Sequence, residues 1–343
     1  MNAPKNAPAS LPFSATAQAA TAQAATAQAT TAEAVASARV KKLPLCVAMA
    51  APVTKIATFH PASVSSLVQS LPALVALRES FPGAKICSFA RAPLVSFLQN
   101  FGAVDEVFAR PGGDVSGQAA LMARLRGGDY DIALSFSQSS NALLLTWATG
   151  AEIRAGFVPS RLESFLTHKV EKNGPFSAFC ALELAKSVGA HGRGAAPLDF
   201  LGIPPEAAQK VQKWLDGAAI PSRFFVVAPS LPRRAPRPKL AVSKGQQSPL
   251  DHWNHAIFGA AQSWPCVLAA PEKWEFVAPP DAKPFFNASA KLDALLLAAL
   301  VAKSSGVLGD ESGALELARF FKKPLAQGDF SDVLEKSRHT FGL

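Results

Sequence analysis

A segment near the carboxyl end of the sequence has the residue types of a phosphate-binding turn. Residues 309–318 read GDESGALELA and run from a predicted strand at 306–308 into a predicted helix that reaches Phe321. We expect Ser312 and Gly313 to stand at or just before the helix start. Backbone amides there, aided by the helix dipole, can bind a phosphate or pyrophosphate, and glycine lets the ligand approach closely. A Ser-Gly N-cap that binds no ligand accounts for the same residues.

Hydroxyl groups and one imidazole follow the first predicted strand. His60 ends a strand predicted at 55–60, and Ser63, Ser65 and Ser66 come directly after it. An imidazole with an ordinary pKa near 6.5 can act as a general base, and serine hydroxyls can donate to sugar or phosphate oxygens. A hydrogen-bonded structural histidine and simple N-capping of the next helix are the alternatives.

The elements that would position these groups alternate between strands and helices, as in parallel sheets covered by helices. The first strand leads into an amphipathic helix at 66–80, with leucines at positions 67, 71, 74 and 77, and Pro82 and Gly83 precede a strand at 85–89. The other predicted strands are 104–108, 130–136, 224–228 and 266–269, and the other predicted helices are 94–100, 142–148, 206–215, 251–262 and 292–303.

The chain is long enough for two domains, since its 343 residues exceed the combined length of two typical domains of roughly 150 residues each. Residues 1–42 repeat alanine, threonine and glutamine, and we expect them to form a disordered tail. A Rossmann-like domain is predicted at 43–204, a linker at 205–222 and a second Rossmann-like domain at 223–343. Parallel sheets bind ligands at the carboxyl ends of their strands, so the cleft between the domains is the expected ligand site.

Composition narrows the class of protein and of partner. Apolar residues make up 49% of the chain and mean hydropathy is +0.17, which excludes wholesale disorder, while no apolar stretch is long enough for a transmembrane helix. The net charge of +9 favours an anionic partner: nucleic acid, phosphorylated glycolipid and nucleotide-linked substrate all stay open, as does a basic surface that serves solubility alone.

The cysteines and the amino terminus bear on the cellular compartment. The four cysteines are widely spaced and form no CxxC pair, so they predict reduced thiols, and neither a zinc site nor a disulfide framework is indicated. The alanine-rich start lacks the bulky apolar core of a secretory signal. We therefore expect a cytoplasmic protein, with contact at the cytoplasmic face of the inner membrane left open.

The order of motifs resembles that of the ADP-heptose:lipopolysaccharide heptosyltransferases, which belong to glycosyltransferase family 9. Family members follow their first strand with a Ser-Leu-Gly-Asp turn and a helix beginning His-Thr-Leu-Pro-Ala-Leu; here ASVSSLVQSLPAL stands at 62–74, followed by FPGA at 81–84. Further segments similar to family motifs are VDEV at 104–107, YD at 130–131, RAGF at 154–157 and GDESGALELA at 309–318. The resemblance covers residues 55 to 330 and implies an α/β fold of GT-B type, two Rossmann-like domains facing each other across a cleft.

The resemblance also implies roles for individual residues. Such enzymes move a sugar from a nucleotide diphosphate donor to an acceptor hydroxyl with inversion, which requires a base near the acceptor oxygen and positive or dipolar groups near the leaving diphosphate. The family's carboxylate base falls on Ser66, which cannot accept a proton near pH 7. The asparagine-aspartate pair of the nucleotide loop falls on Asp310 and Glu311, and its histidine falls on Glu316, so this loop becomes more negative.

Other residues are candidates to supply the base and the positive charge that these substitutions remove. His60 is the candidate replacement base, and Ser63 and Ser65 are candidate ligands of the acceptor. The family's phosphate-binding lysine has its nearest counterpart in Lys244, within a proline-rich insertion at 231–249 whose other cationic residues are Arg233, Arg234, Arg237 and Lys239. Guanidinium groups pair well with phosphate oxygens, although solvated charges on a surface loop are an equal alternative.

Two hypotheses follow from the resemblance. In the first, the protein transfers heptose or a related sugar from an ADP-heptose-like donor to an anionic, lipopolysaccharide-type glycolipid, without a metal or other cofactor. In the second, it is a catalytically degenerate relative that binds glycan or nucleotide and acts as a regulatory or scaffold protein. Nucleic acid is not an expected partner, because no helix-turn-helix, zinc or RNA-binding aromatic motif occurs in the sequence.

Overall fold

Two parallel sheets organise the structure, a computed structural model that describes residues 52–112, 115–172, 174–192, 195–229, 249–276, 278, 280–310 and 312–327. We call the first sheet and its helices the N-terminal lobe, residues 55–186, and the second sheet and its helices the C-terminal lobe, residues 225–327. The predicted tail at 1–42 lies outside the described residues.

The N-terminal lobe has six parallel strands in the order β3-β2-β1-β4-β5-β6, the arrangement expected of a Rossmann-like half. The strands are β1 Lys55–Phe59, β2 Lys85–Arg91, β3 Glu106–Arg110, β4 Ile132–Ser135, β5 Ile153–Val158 and β6 His168–Glu171. The helices are α1 Val64–Ser80, α2 Ala92–Gln99, α3 Val115–Arg126, α4 Ser140–Ala148 and α5 Ala178–Lys186.

Helices cover this sheet because their apolar residues recur at helical spacing. The four leucines of α1 that predicted its buried face are all inaccessible to solvent, and α1 packs against α5. Phe59 and Phe89, from neighbouring strands, stack with ring centroids 5.0 Å apart and share a buried cluster with Leu125 of α3 and Leu145 of α4. The sheet edge from which α1 begins is therefore held by a closely packed core.

The C-terminal lobe has five parallel strands in the order β11-β10-β7-β8-β9. The strands are β7 Phe225–Ala228, β8 Cys266–Leu268, β9 Phe285–Asn287, β10 Gly306–Gly309 and β11 Leu325–Gln327, and the helices are α7 Pro249–Ser263, α8 Ala294–Lys303 and α9 Gly313–Phe320. Its core brings Phe225, Val227 and Leu308 of the sheet together with Ile257 of α7. Among the described residues, no helix is both long enough and apolar enough to span a lipid bilayer.

A helix fills most of the predicted linker. Helix α6, Pro205–Gly217, lies between the two sheets in the sequence and packs against α8, with Val211 and Leu215 buried. Both lobes belong to one compact unit, Ala51–Leu343. The predicted domain boundaries remain predictions, but the linker segment is packed structure wherever it is helical.

One predicted strand is displaced along the chain. The apolar run predicted a strand at 104–108, whereas β3 spans Glu106–Arg110. Val104 donates its backbone N–H to Phe101 in a turn, and the Asp105 carboxylate accepts the Ile86 amide at 2.7 Å. Because residues 104 and 105 serve this turn, the ladder with β2 begins at Glu106 and places Arg110 at the carboxyl end of the strand.

Candidate functional site

The predicted phosphate-binding turn joins the central strand β10 to helix α9. Ser312 is the N-cap of α9, and its hydroxyl accepts the Leu315 amide at 3.4 Å. Gly309 ends β10 beside Ala228, and a Cβ at Gly309 would overlap the Ala228 carbonyl oxygen. Leu315 is fully buried and anchors the first turn of the helix. The helix start is thus fixed to the carboxyl edge of the sheet, as the sequence predicted.

The start of α9 meets the start of α1 from the other lobe. A Cβ built on Gly313 would lie 2.6 Å from the Cβ of Val64 and 3.4 Å from the backbone nitrogen of Ser65. Both helices begin at the carboxyl edge of their own sheet, so the positive ends of two helix dipoles face each other here. Two such ends disfavour each other, and an anion placed beside them would be attracted by both.

A second contact between the lobes involves helices α2 and α8. The Ser96 hydroxyl of α2 donates to the Asp293 carboxylate at 3.1 Å, and Asp293 is also the N-cap of α8. The α2–α8 and α1–α9 contacts together hold the lobes closed at this point. A diphosphate cannot lie between Gly313 and Val64 in this arrangement unless the lobes separate.

The serine cluster caps the first helix of the N-terminal lobe. Ser63 is the N-cap of α1: its oxygen accepts the Ser66 amide at 3.2 Å, and its hydroxyl donates to the Ser66 hydroxyl at 2.9 Å. Ser65 is half-buried beside Gly313. Ser63 therefore caps the helix and Ser66 donates the capped amide, as the N-capping alternative predicted. The serine cluster lies where the two lobes meet.

His60 is a structural residue, contrary to its candidacy as a base. Its side chain is inaccessible to solvent; Nε2 lies 3.2 Å from the hydroxyls of Thr58 and Ser88, and Nδ1 lies 3.3 Å from that of Ser70. Burial, together with the charge of Arg110, lowers the His60 pKa to about 3. A base must touch the proton that it removes, and this imidazole reaches only protein hydroxyls.

The acidic residues of the nucleotide loop have different surroundings. Glu316 lies in the first turn of α9, mostly buried, and is paired with Arg319, which also contacts Gln327. This pairing partly offsets the negative charge that the family resemblance implied for this loop. Asp310 is half-buried directly after β10. Glu311 lies outside the described residues, as do Lys244 and the cationic residues at 233, 234, 237 and 239.

Sequence reasoning missed cationic groups at the carboxyl edge of the N-terminal sheet. Arg91 and Arg110 end the neighbouring strands β2 and β3, and Lys172 follows β6 and donates to Gln138 at 3.1 Å. These residues could have been found from the sequence by looking for a cationic residue at the carboxyl end of each strand, because parallel sheets bind ligands there. The displacement of β3 and the absence of β6 from the predicted elements concealed it.

Comparison with known proteins identifies the fold. The chain matches no family model and no curated protein. Solved structures similar to it include a glycosyl transferase of family 9 from Veillonella parvula DSM 2008, with 14% identity over 80% of each chain and a TM-score of 0.59. ADP-heptose lipopolysaccharide heptosyltransferase II of E. coli has 17% identity over 82% of this chain and 88% of its own, with a TM-score of 0.60.

A third similar structure is that of E. coli heptosyltransferase WaaC with ADP-2-deoxy-2-fluoro heptose, at 16% identity, 80% coverage of this chain, 88% of that chain and a TM-score of 0.53. At such low identity the similarity shows the fold alone. The predicted α/β fold of GT-B type, with two Rossmann-like halves, is confirmed, and the resemblance to the heptosyltransferases holds at the level of the fold.

Proposed function

We propose that the protein is a glycosyltransferase of the family 9 heptosyltransferase type, which transfers a sugar from a nucleoside diphosphate donor to an acceptor hydroxyl with inversion. The observation that carries this proposal is the meeting of two helix starts, Ser312–Gly313 of α9 and Val64–Ser65 of α1, at the carboxyl edges of two facing parallel sheets. Both sets of amides can serve one anionic ligand between the lobes.

The C-terminal lobe would hold the donor. The amides at the start of α9 bind the diphosphate, and Gly313 lets the phosphate oxygens approach the backbone. The pairing of Glu316 with Arg319 reduces the repulsion that an isolated carboxylate would exert. Asp310 and Glu311 follow β10 and are proposed donor ligands, and Lys244 is a proposed phosphate ligand.

The N-terminal lobe would hold the acceptor, which we propose to be an anionic glycolipid of the lipopolysaccharide type. Hydroxyls of Ser63 and Ser65 bind it beside the donor. The acceptor oxygen attacks the anomeric carbon, the bond from that carbon to the diphosphate oxygen breaks, and the nucleoside diphosphate leaves with the electron pair. A base takes the acceptor proton, and it is neither Ser66, which is no base near pH 7, nor the buried His60.

Donor binding requires the lobes to separate first. Gly313 packs directly against Val64, so a diphosphate bound at this helix start would replace that contact. Relative motion of domains around a ligand is common in enzymes that close over their substrates. We therefore expect the contact between Gly313 and Val64 to open when the donor binds.

A second candidate function is binding without transfer. It is favoured by the replacement of the family's base with Ser66, whose hydroxyl is engaged by Ser63, and by the burial of the nearest imidazole. In this case the protein binds a nucleotide sugar or a glycan and acts through partners. When the ligand is a nucleotide sugar, the two functions share the donor site and differ only in turnover.

Parallel binding and turnover measurements test the proposal. The purified chain is titrated with ADP-heptose and with ADP by calorimetry, and sugar transfer to core-lipid acceptors is followed by mass spectrometry of the lipid. Binding with transfer is the expected result. Binding without transfer establishes the second candidate function, and absence of both contradicts the donor site itself.

A further inference from the structure

A cavity of about 580 Å³ opens at the carboxyl end of β3, away from the helix starts that form the proposed donor site. Its walls come from the end of β3, the chain that follows it, the first residue of α2 and one face of α3. It shares no lining residue with the first turns of α1 and α9. This volume lies within the range of pockets that hold sugar-sized ligands.

Two arginines line this cavity and a third lies at its rim. Arg110 and Arg124 line it, and the Arg124 guanidinium carbon lies over the Phe108 ring, 4.0 Å from the centroid. Arg91 stands opposite Arg110 in the register of β2 and β3, and its Nη1 lies 3.9 Å from where a Cβ on Gly112 would be. Since Gly112 is part of the cavity wall, Arg91 reaches its rim.

These charges have no acidic partner among the described residues. None of the described residues that line the cavity is acidic, and the ion pairs found in the described ranges involve other cations. Arg110 donates through Nη2 to the His60 carbonyl, while its buried Nε has no acceptor in the described part of the chain. Like charges held together around a cavity, with a donor left unsatisfied, disfavour the unliganded protein.

The electrostatic cost appears in Arg110 itself. Burial and, second to it, the charge of Arg91 lower the Arg110 pKa to about 10, so the group stays cationic at neutral pH at a cost in free energy. The hydrogen bond from Arg110 to the His60 carbonyl does not account for the second guanidinium beside Arg110 or for the cavity that it lines. A bound anion would offset the repulsion between Arg91 and Arg110, and guanidinium forks match phosphate oxygens.

We propose that Arg91, Arg110 and Arg124 form a binding site for a phosphate oxyanion, carried as a phosphomonoester on a sugar-sized molecule. The cavity is much larger than a phosphate ion, so the phosphate would occupy the arginine side and the rest of the molecule the side formed by Phe108 and Leu121. This site does not depend on the proposed transfer reaction, because it can be occupied and measured without nucleotide.

Calorimetric titration tests this site with two probes, inorganic phosphate and glucose 6-phosphate, at low salt. Four forms of the full chain are compared: the unsubstituted protein, Arg91→Gln, Arg124→Gln and the control Arg126→Gln. Arg126 lies two positions beyond Arg124, the last residue of α3 that lines the cavity, and its guanidinium is 5.9 Å from the centroid of the Trp147 ring. Arg91 is exposed and makes no side-chain cap bond, so its substitution leaves the fold intact even if changes at Arg110 do not.

We expect saturable binding of glucose 6-phosphate that is tighter than that of inorganic phosphate, weakened about tenfold by Arg91→Gln and by Arg124→Gln, and unchanged by Arg126→Gln. Equal affinity for the two probes, with the same loss in both variants, would retain the oxyanion site and identify free phosphate as its ligand. Absence of saturable binding, or equal weakening by all three substitutions, would overturn the proposal, because the latter is the behaviour of general charge screening.

Discussion

His60 shows how burial converts a reactive side chain into a structural one. Its ring is enclosed by three hydroxyls and lies against Phe136, with centroids 5.4 Å apart, so the neutral imidazole is satisfied and its protonated form is disfavoured. With a pKa of about 3 in the native state and about 6.5 in the unfolded chain, only the unfolded chain takes up this proton between those values. The contribution of His60 to stability is therefore fully present above pH 6.5 and is lost as the pH falls toward 3.

The pH dependence of unfolding tests this assignment. The free energy of unfolding should fall by up to about 1.4 kcal/mol per pH unit below pH 6.5 on account of His60, in addition to the effect of other groups. His60→Gln should remove this part of the slope, measured by denaturant unfolding at several pH values. His255→Gln, at an exposed position of α7, is the matched control and should leave the slope as it is.

Two outcomes would contradict the structural role of His60. One is a slope that His60→Gln and His255→Gln change equally. The other is a loss of sugar transfer in His60→Gln beyond its loss of stability, in protein that does transfer sugar, since a buried group has no access to the acceptor.

The sequence correctly predicted that His60 lies at the end of β1, but it did not predict that the side chain is buried. The strand prediction at 55–60 ended within one residue of the observed β1, yet the hydroxyls of Ser70 and Ser88 come from elements 10 and 28 positions away. Long-range contacts of this kind decide whether an imidazole meets solvent or a hydroxyl. Gly313 is a similar case, because its position was predicted and its contact with Val64 was not.

Helix α9 should lose both stability and donor affinity when its N-cap is removed. Ser312→Ala deletes the acceptor of the Leu315 amide and should lower the free energy of unfolding by about 1 kcal/mol. ADP affinity, measured by calorimetry, should fall about fivefold, the loss expected when one hydrogen bond near an anion is weakened.

Ser139→Ala provides the matched control for this change. Ser139 is the N-cap of α4 and accepts the Ala142 amide at 3.3 Å, so its loss should cost similar stability. It lies outside the proposed donor site and should leave ADP affinity unchanged. Equal loss of ADP affinity in both variants would mean that the effect is global and that α9 has no special part in binding.

Elements with strong local signals were predicted, and elements held by tertiary contacts were not. The apolar spacing of α1 and the apolar run of β7 sufficed for prediction. Strand β6, HKVE, alternates exposed and half-buried residues at the sheet edge, and the three-residue strands β9 and β11 contain too little sequence for a periodic signal. Such edge strands form because a neighbouring strand offers them a ladder.

Contact between the lobes should appear as an energetic coupling between Gly313 and Val64. Gly313→Ala introduces a Cβ 2.6 Å from that of Val64 and should lower the free energy of unfolding by about 2 kcal/mol, although alanine alone is the better helix former. In a Val64→Gly background the same change should cost less than about 0.5 kcal/mol, because the opposing Cβ is gone.

A double-mutant cycle of the four proteins, followed by chemical denaturation, gives this coupling. An additive cycle would contradict the closed arrangement, since it would mean that Gly313 and Val64 do not touch in solution. Saturating ADP should abolish the coupling, because the bound diphosphate separates the two helix starts.

The most direct test of the account follows individual backbone amides as nucleotide binds. In a transverse-relaxation-optimised NMR titration of glycine-labelled protein with ADP, the Gly313 amide should shift with the same midpoint as the calorimetric isotherm, while Gly217, at the end of α6, should not move. Binding by calorimetry with the Gly313 resonance unmoved would contradict the account, because the ligand would then lie elsewhere than at the start of α9.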